Sequence, residues 1–175
     1  MDEYIFAEQT KKHFRYLIDD YEYSVTGQRY DPKAFGNSLV QFQSRTMDVT
    51  VALDRGQVFV YLAPRTESPG YQFDLRDIVG FLTPESDEPV YIFPEEWDNY
   101  YDMVDWQVKR LAQVFRKYCK PVLAGKFSKW KEIVKIREAK AQDKYKRLTG
   151  KEPITIDSEE IGSEVQKEIR RRQSQ

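Results

Sequence analysis

Side chains that perform acid–base or nucleophilic catalysis are scarce in this chain of 175 residues. His13 is its one histidine and Cys119 its one cysteine. A single histidine cannot build a typical zinc site, so we interpret His13 as an ordinary surface or boundary side chain. Cys119 has no histidine close in sequence to activate it, so we interpret it as a small core residue. Neither residue predicts a catalytic centre.

The sequence also lacks the short motifs that commonly hold a nucleotide, a metal or a nucleophile. It contains no phosphate-binding glycine loop, no His-Glu-x-x-His pair, no Gly-x-Ser-x-Gly turn and no Cys-x-x-Cys pair. Paired carboxylates are the acid–base chemistry that remains, but the sequence favours no particular pair. We therefore predict that the protein is not an enzyme and that it binds no cofactor and no metal.

The carboxylates are concentrated in residues 85–105, which we call the acidic segment. It lacks EF-hand spacing, so no calcium loop is predicted. A solvated loop and helix start would explain these acids, because acidic residues favour the positive end of a helix dipole. The alternative is a surface for a basic protein partner, formed by Glu85, Asp87, Glu88, Glu95, Glu96, Asp98 and Asp102.

Basic residues dominate the second part of the chain. Residues 1–103 contain 9 Lys+Arg and 19 Asp+Glu, a net charge of −10, and the remainder carries +9. A solvated helix face would explain the excess after residue 103, because Lys and Arg are common at exposed helix positions. The alternative is a nucleic-acid-binding face, with phosphate contacts and a stacking ring. That face would consist of Lys126, Lys129, Trp130, Lys140, Lys144 and Arg147.

Three helices are predicted where apolar residues recur at helical spacing. They span residues 2–21, 97–123 and 129–148. The middle helix has the longest apolar stripe, and the sheet is expected to pack against it. Pro121 predicts a stop or kink near Cys119, because proline and the residue before it disfavour helix. Gly150 is predicted to close the last helix.

Strands are predicted where apolar and polar residues alternate. Residues 54–56 have the composition of a tight hairpin connection, and Gly56 is available for a positive φ. Such short connections make neighbouring strands antiparallel. The predicted strands are residues 21–30, 39–45, 47–53, 57–63 and, more briefly, 71–75. The sequence therefore predicts an α+β fold with an N-terminal helix, an antiparallel meander of four or five strands, two C-terminal helices and a tail.

Length and composition predict one domain in a reducing compartment. The domain is expected over residues 1–150, followed by a tail at residues 151–175 that is a short helix or disordered. A lone cysteine suits a reducing environment. No signal peptide and no apolar run of about 18 residues is visible. We predict a cytoplasmic protein without membrane contact.

Two stretches of the chain carry a resemblance to known proteins. One is the end of the first helix with the strands after it, and the other is the end of the long helix. The residues concerned are Phe14, Leu17, Asp20, Tyr21, Tyr118 and residues 123–130. This pattern resembles a group of small, uncharacterised bacterial α+β proteins, some of them similar to immunity proteins of polymorphic or contact-dependent toxin systems. The resemblance implies a cytosolic, non-catalytic protein that binds and blocks a cognate toxin. A protein partner is thus expected, with nucleic acid as the alternative and a homodimer also open.

Overall fold

The computed structural model describes residues 5–34, 36–65, 71–93 and 97–151. The chain divides into two compact units, Met1–Ile133 and Val134–Gln175. The division falls inside the last described helix, whereas the sequence prediction placed a boundary after residue 150. The predicted tail lies outside the described residues except for Lys151.

The first unit contains a five-stranded antiparallel sheet whose strands lie in chain order. This confirms the predicted α+β fold and its meander. The register of the first strand shifts between Val25 and Gly27, as in a β-bulge. The strands are β1 Ser24–Asp31, β2 Asn37–Gln43, β3 Met47–Asp54, β4 Gln57–Pro64 and β5 Phe73–Asp74.

A two-residue turn joins β3 to β4. Asp54 pairs directly with Gln57, and the residues between them, Arg55 and Gly56, have φ angles of 48° and 82°. Two successive positive φ angles define the type I′ turn, whose twist matches that of the flanking strands. The positive φ predicted for Gly56 is therefore confirmed. The ring of Tyr100 lies so close that a Cβ at position 56 would meet it at 3.3 Å.

The predicted N-terminal helix is confirmed, but it is interrupted, because its described residues form two helices and not one. Phe14 separates them with φ −93° and ψ 12°. The local apolar pattern continues through this break, so spacing alone does not reveal it. The helices in the described part of the chain are α1 Ile5–His13, α2 Arg15–Tyr21, α3 Leu75–Leu82, α4 Tyr100–Tyr118, α5 Lys120–Leu123 and α6 Trp130–Thr149.

The long helix α4 begins later than predicted and ends where predicted. Asn99 has an extended backbone, and its side chain accepts a hydrogen bond of 2.8 Å from the Tyr101 N–H, which caps the helix. The expected stop near Cys119 is confirmed, since α4 ends at Tyr118. Pro121 lies in the first turn of α5, where a missing N–H is tolerated.

The core of the first unit lies between one face of the sheet and the helices α1, α3 and α4. Val51 and Val60 pair across β3 and β4 on that face and are fully buried. Phe14 reaches both layers, because its ring stacks on Phe42 of β2 at 6.0 Å and lies 6.5 Å from Phe115 of α4. The break between α1 and α2 therefore places an aromatic ring at the centre of the core.

Cys119 is fully buried, which confirms its interpretation as a core residue. Burial raises the pKa of its thiol to about 12. Burial also raises the pKa values of the hydroxyls of Tyr16 and Tyr91. All three groups therefore hold their protons in the folded protein at pH values where exposed thiols and phenols lose them.

We expect the folded state to lose stability as the pH rises above about 9. In the unfolded chain these three groups ionise between about pH 8.5 and 10. Above that range the native state binds more protons than the unfolded state, so each group lowers the free energy of unfolding by roughly 1.4 kcal/mol per pH unit. Urea unfolding at about pH 8, 9.5 and 10.5 measures this slope. Cys119→Ala should reduce the pH dependence of the free energy of unfolding between about pH 8 and 9.5. A constant free energy of unfolding over the whole pH range would contradict the prediction.

Candidate functional site

The cap of α4 positions the acidic residues at its start. Because Asn99 is the capping residue, Asp98 precedes the helix and Asp102 lies in its first turn. A carboxylate in the first turn is stabilised by the helix dipole. Both side chains are exposed. The structure thus keeps these two predicted site residues close together in space as well as in sequence.

Exposed aromatic side chains are the sequence neighbours of the two acids. Trp97, Tyr100 and Tyr101 are 42%, 41% and 40% exposed. The ring centroids of Trp97 and the half-buried Trp106 are 5.8 Å apart, with an interplanar angle of 44°. Large aromatic residues are usually well buried, so their accumulation in this exposed region makes it a candidate for a contact surface. We call it the acidic–aromatic surface, and it comprises Trp97, Asp98, Tyr100, Tyr101, Asp102 and Trp106.

Two long-range contacts fix the acidic–aromatic surface to the sheet and to α1. The side-chain amide of Gln107 accepts a hydrogen bond from the Val58 N–H at 3.1 Å and donates one to the Gly56 carbonyl at 2.9 Å. The amide of Gln9 in α1 donates to the Tyr101 carbonyl at 3.4 Å. The first two turns of α4 are therefore held from both sides.

His13 provides a third connection between α1 and α4. Its Nε2 lies 2.8 Å from Oδ1 of Asp105, 92 residues along the chain. The His13 side chain is 13% exposed, which agrees with a boundary position. Its acidic partner was not predicted, because the contact joins two distant helices. Because Asp105 is paired with His13, we do not include it in the acidic–aromatic surface.

The structure separates Glu88 from the acids at the start of α4. Glu88 accepts hydrogen bonds from the Tyr118 hydroxyl and, at 3.0 Å, from Lys117. These bonds lower the pKa of its carboxyl. Lys117 follows Asp102 by fifteen residues, which is about 22 Å along the helix axis, so Glu88 is bonded to side chains from the other end of α4.

The predicted acidic residues that the structure describes therefore do not form one surface. Those that the structure brings together are the pair at the start of α4. Of the predicted set, Glu85 and Asp87 are exposed in the loop before Glu88, Asp98 and Asp102 belong to the acidic–aromatic surface, and Glu95 and Glu96 lie outside the described residues.

Beyond Trp106 the exposed side of α4 becomes basic. Lys109, Arg110 and Lys117 line a groove of about 550 Å³ together with Trp106 and Glu88. Arg110 donates to a backbone carbonyl of the preceding loop, and Lys117 pairs with Glu88. Two of the three cations thus attach that loop to α4. The order of acids first and cations last along α4 matches the helix dipole.

Trp130 does not offer a stacking face, which corrects one part of the nucleic-acid-binding alternative. It is 3% exposed, and its ring lies 5.0 Å from Phe73 and 4.6 Å from Phe127. Its large apolar ring contributes more by filling the core than by contacting solvent. The predicted neighbours Lys126 and Lys129 are exposed, and Lys129 pairs at 3.5 Å with a glutamate in the first turn of α6.

The second unit carries the other three predicted basic residues. Lys140, Lys144 and Arg147 follow one another at spacings of four and three, so they share one side of α6. All residues from 135 to 150 are exposed. Arg147 also forms an ion pair of 2.7 Å with Asp143. This side of α6 is thus a basic surface without a neighbouring aromatic platform from Trp130.

Sequence reasoning missed two side chains that close an edge of the sheet. The strand β5 pairs with β4 only at Tyr61 and Leu62. Along the rest of that edge, the Tyr91 hydroxyl lies 3.3 Å from both the N and the O of Val60, and Gln107 pairs with the backbone nearer the turn. Unpaired strand edges invite association with other chains. The sequence signal for Gln107 was its position, because it is a polar residue on the apolar side of α4.

The described residues provide neither a metal centre nor a membrane span. They contain no group of three or more His, Cys, Asp or Glu side chains that could hold a metal ion. None of the helices among them combines the length and apolarity that a membrane crossing requires. In comparisons with known proteins, no family model, curated protein or solved structure matches the chain. The chemistry that the site offers is binding of cationic groups by aromatic faces and carboxylates.

Proposed function

We propose that the protein is a non-catalytic, cytoplasmic bacterial binding protein of the immunity type, and that it neutralises a basic partner protein through the acidic–aromatic surface. The observation that carries the proposal is the contact of the exposed Trp97 with the half-buried Trp106, next to the exposed Asp98 and Asp102. Trp and Tyr dominate the energetic centres of protein interfaces. Carboxylates around such a centre steer a basic partner and fix its orientation.

Preorganisation of the surface supports the same proposal. Binding is weakened when loops and side chains must be ordered in the complex. Here four of the six side chains of the acidic–aromatic surface stand on the first two turns of α4, and Gln107 and Gln9 connect those turns to the sheet and to α1. A partner would therefore meet helix turns that are already held in place.

Charge reversal at the surface tests the proposal. We expect Asp98→Lys with Asp102→Lys to weaken binding of the captured partner by at least about 100-fold, because two attractive contacts become repulsive. The partner is captured from nuclease-treated lysate on the immobilised protein and identified, and its Kd is then measured at low and moderate salt. Weakening of wild-type binding by salt is part of the expectation.

The matched control is Glu85→Lys with Asp87→Lys, which changes the net charge equally in the exposed loop at the other end of α4. It should alter the Kd by less than about threefold. Lysine in the first turn of a helix is unfavourable, so circular dichroism of the reversed variant establishes that it folds. Equal losses in the two variants, or no loss in either, would overturn the proposed surface.

A second candidate function is nucleic-acid binding by the exposed side of α6. The supporting observation is the row Lys140, Lys144 and Arg147 on a helix whose residues 135–150 are all exposed. Phosphate binding by these cations would be strongly weakened by salt. Recovery of nucleic acid on the immobilised protein, lost after replacing the three cations with glutamine, would favour this function over the first.

A further inference from the structure

We infer that Trp97 and Trp106 together form a binding site for the guanidinium group of an arginine side chain presented by the partner. This inference rests on the proposed function only for the source of the arginine. The site itself is defined by the two indoles and the two neighbouring aspartates, and it can be tested without the natural partner.

The distance between the indoles suits one shared cation. A cation interacts with an aromatic face when it lies within about 6 Å of the ring centroid. The centroids of Trp97 and Trp106 are 5.8 Å apart, so a single guanidinium can satisfy this distance to both. The rings pack against each other at an inclination of 44°, with Trp97 exposed and Trp106 half-buried, so a guanidinium would meet the solvent-exposed side of the pair and not enter between the rings.

Two carboxylates complete the site. Asp98 follows Trp97 directly, and Asp102 lies one helical turn before Trp106, where side chains are neighbours. Within the described ranges neither aspartate has an ion-pair partner, whereas the nearby Asp105 is bonded to His13. The two aspartates therefore add negative potential beside the ring faces.

Arginine matches this combination better than lysine does. Its guanidinium is planar and weakly hydrated, and it can stack on an indole while its N–H groups bond a carboxylate. Lysine carries a compact and strongly hydrated charge, which loses more hydration at an aromatic face. Lys109 lies one turn after Trp106 on the exposed side of α4, so the incoming arginine must approach from the Asp102 side.

The indole N–H resonances give a direct test, because the chain has 3 tryptophans. The full-length protein is titrated with a short peptide that contains one arginine and is otherwise uncharged. A second titration uses the same peptide with citrulline in place of arginine, because citrulline has the same shape without the charge. We expect saturable shifts of the Trp97 and Trp106 signals with the arginine peptide and none with citrulline. The buried Trp130 serves as the internal reference and should not move.

Variants separate the site from a general attraction of charges. Trp97→Ala changes an exposed side chain ahead of the helix and should weaken arginine-peptide binding at least about 10-fold. Trp106→Phe keeps an aromatic ring and apolar volume, so it provides a second test if Trp97→Ala does not fold. It should weaken binding about threefold. Lys109→Gln should tighten it about twofold by removing a like charge. The proposal would be overturned by equal responses to arginine and citrulline, or by wild-type affinity in Trp97→Ala.

The two proposals fail in different ways. If the indole signals do not respond to arginine while Asp98→Lys with Asp102→Lys still prevents capture of a basic protein, the arginine site is wrong and the proposed function stands. If the arginine peptide binds as expected but charge reversal leaves partner binding unchanged, the arginine site stands and the proposed function is wrong.

Discussion

Replacing Phe14 with alanine should lower the free energy of unfolding by about 3–5 kcal/mol. The side chain is fully buried, and its ring contacts those of Phe42 in β2 and Phe115 in α4. Alanine would leave a cavity between the sheet and the helices, where the backbone break between α1 and α2 allows little collapse. Both the lost transfer free energy and the cavity destabilise the fold.

Urea unfolding and thermal melting followed by circular dichroism measure this loss. The expected fall in Tm is about 10–20 °C for a unit of this size. Phe93→Ala is the matched control, because it removes the same ring from a side chain that is 37% exposed. Phe93→Ala should lower the free energy of unfolding by less than half as much as Phe14→Ala does. A loss below about 1 kcal/mol in Phe14→Ala would show that this ring is not at the centre of the core.

The strands and their turn were predictable because their signals are local. The core-facing residues Val49 and Val51 alternate with polar residues along β3, and such alternation has few explanations besides a half-buried strand. The turn at Gly56 needs a positive φ, and a glycine in a short connection between two strands indicates such a turn. The fold class followed from these signals together with short connections between strands.

The helix boundaries were less predictable because a tertiary or capping interaction decides each of them. Phe14 continues the apolar stripe of the first helix, so only its packing between two layers explains the break. Trp97 likewise continues the stripe of α4, but the Asn99 cap starts the helix after it. In both cases an apolar residue at helical spacing lies outside the helix.

The candidate site was predicted in part, since a cluster in sequence is not a cluster in space. Glu88 and Asp102 belong to one acidic segment, yet Glu88 accepts a hydrogen bond from Tyr118 in the last turn of α4, whereas Asp102 lies in the first turn. The pairing of Trp97 with Trp106 could not be read from acidic composition. Trp97 was predicted to lie within the long helix, but it precedes the helix and contacts Trp106.

The scaffold of the site depends on one buried polar side chain. Gln107 is 3% exposed and connects α4 to the backbone of β4 and of the β3–β4 turn. We expect Gln107→Leu to lower the free energy of unfolding by about 2–4 kcal/mol, because the buried Val58 N–H and the partly buried Gly56 carbonyl would both lose their partner. Leucine has a similar volume, so the loss reports on the hydrogen bonds more than on packing.

Amide hydrogen exchange and urea unfolding distinguish a local from a general effect. The Val58 amide should exchange faster in Gln107→Leu by more than the loss of global stability explains, whereas the Val51 amide in the middle of the sheet should follow global stability alone. Gln113→Leu, the same change at an exposed position of α4, should stay within about 0.5 kcal/mol of the wild type. Because the acidic–aromatic surface stands on the turns that Gln107 anchors, Gln107→Leu should also weaken arginine-peptide binding without touching the peptide. Unchanged protection of Val58 would contradict the assigned role of Gln107, since a hydrogen bond that does not protect its donor does not hold the helix in place.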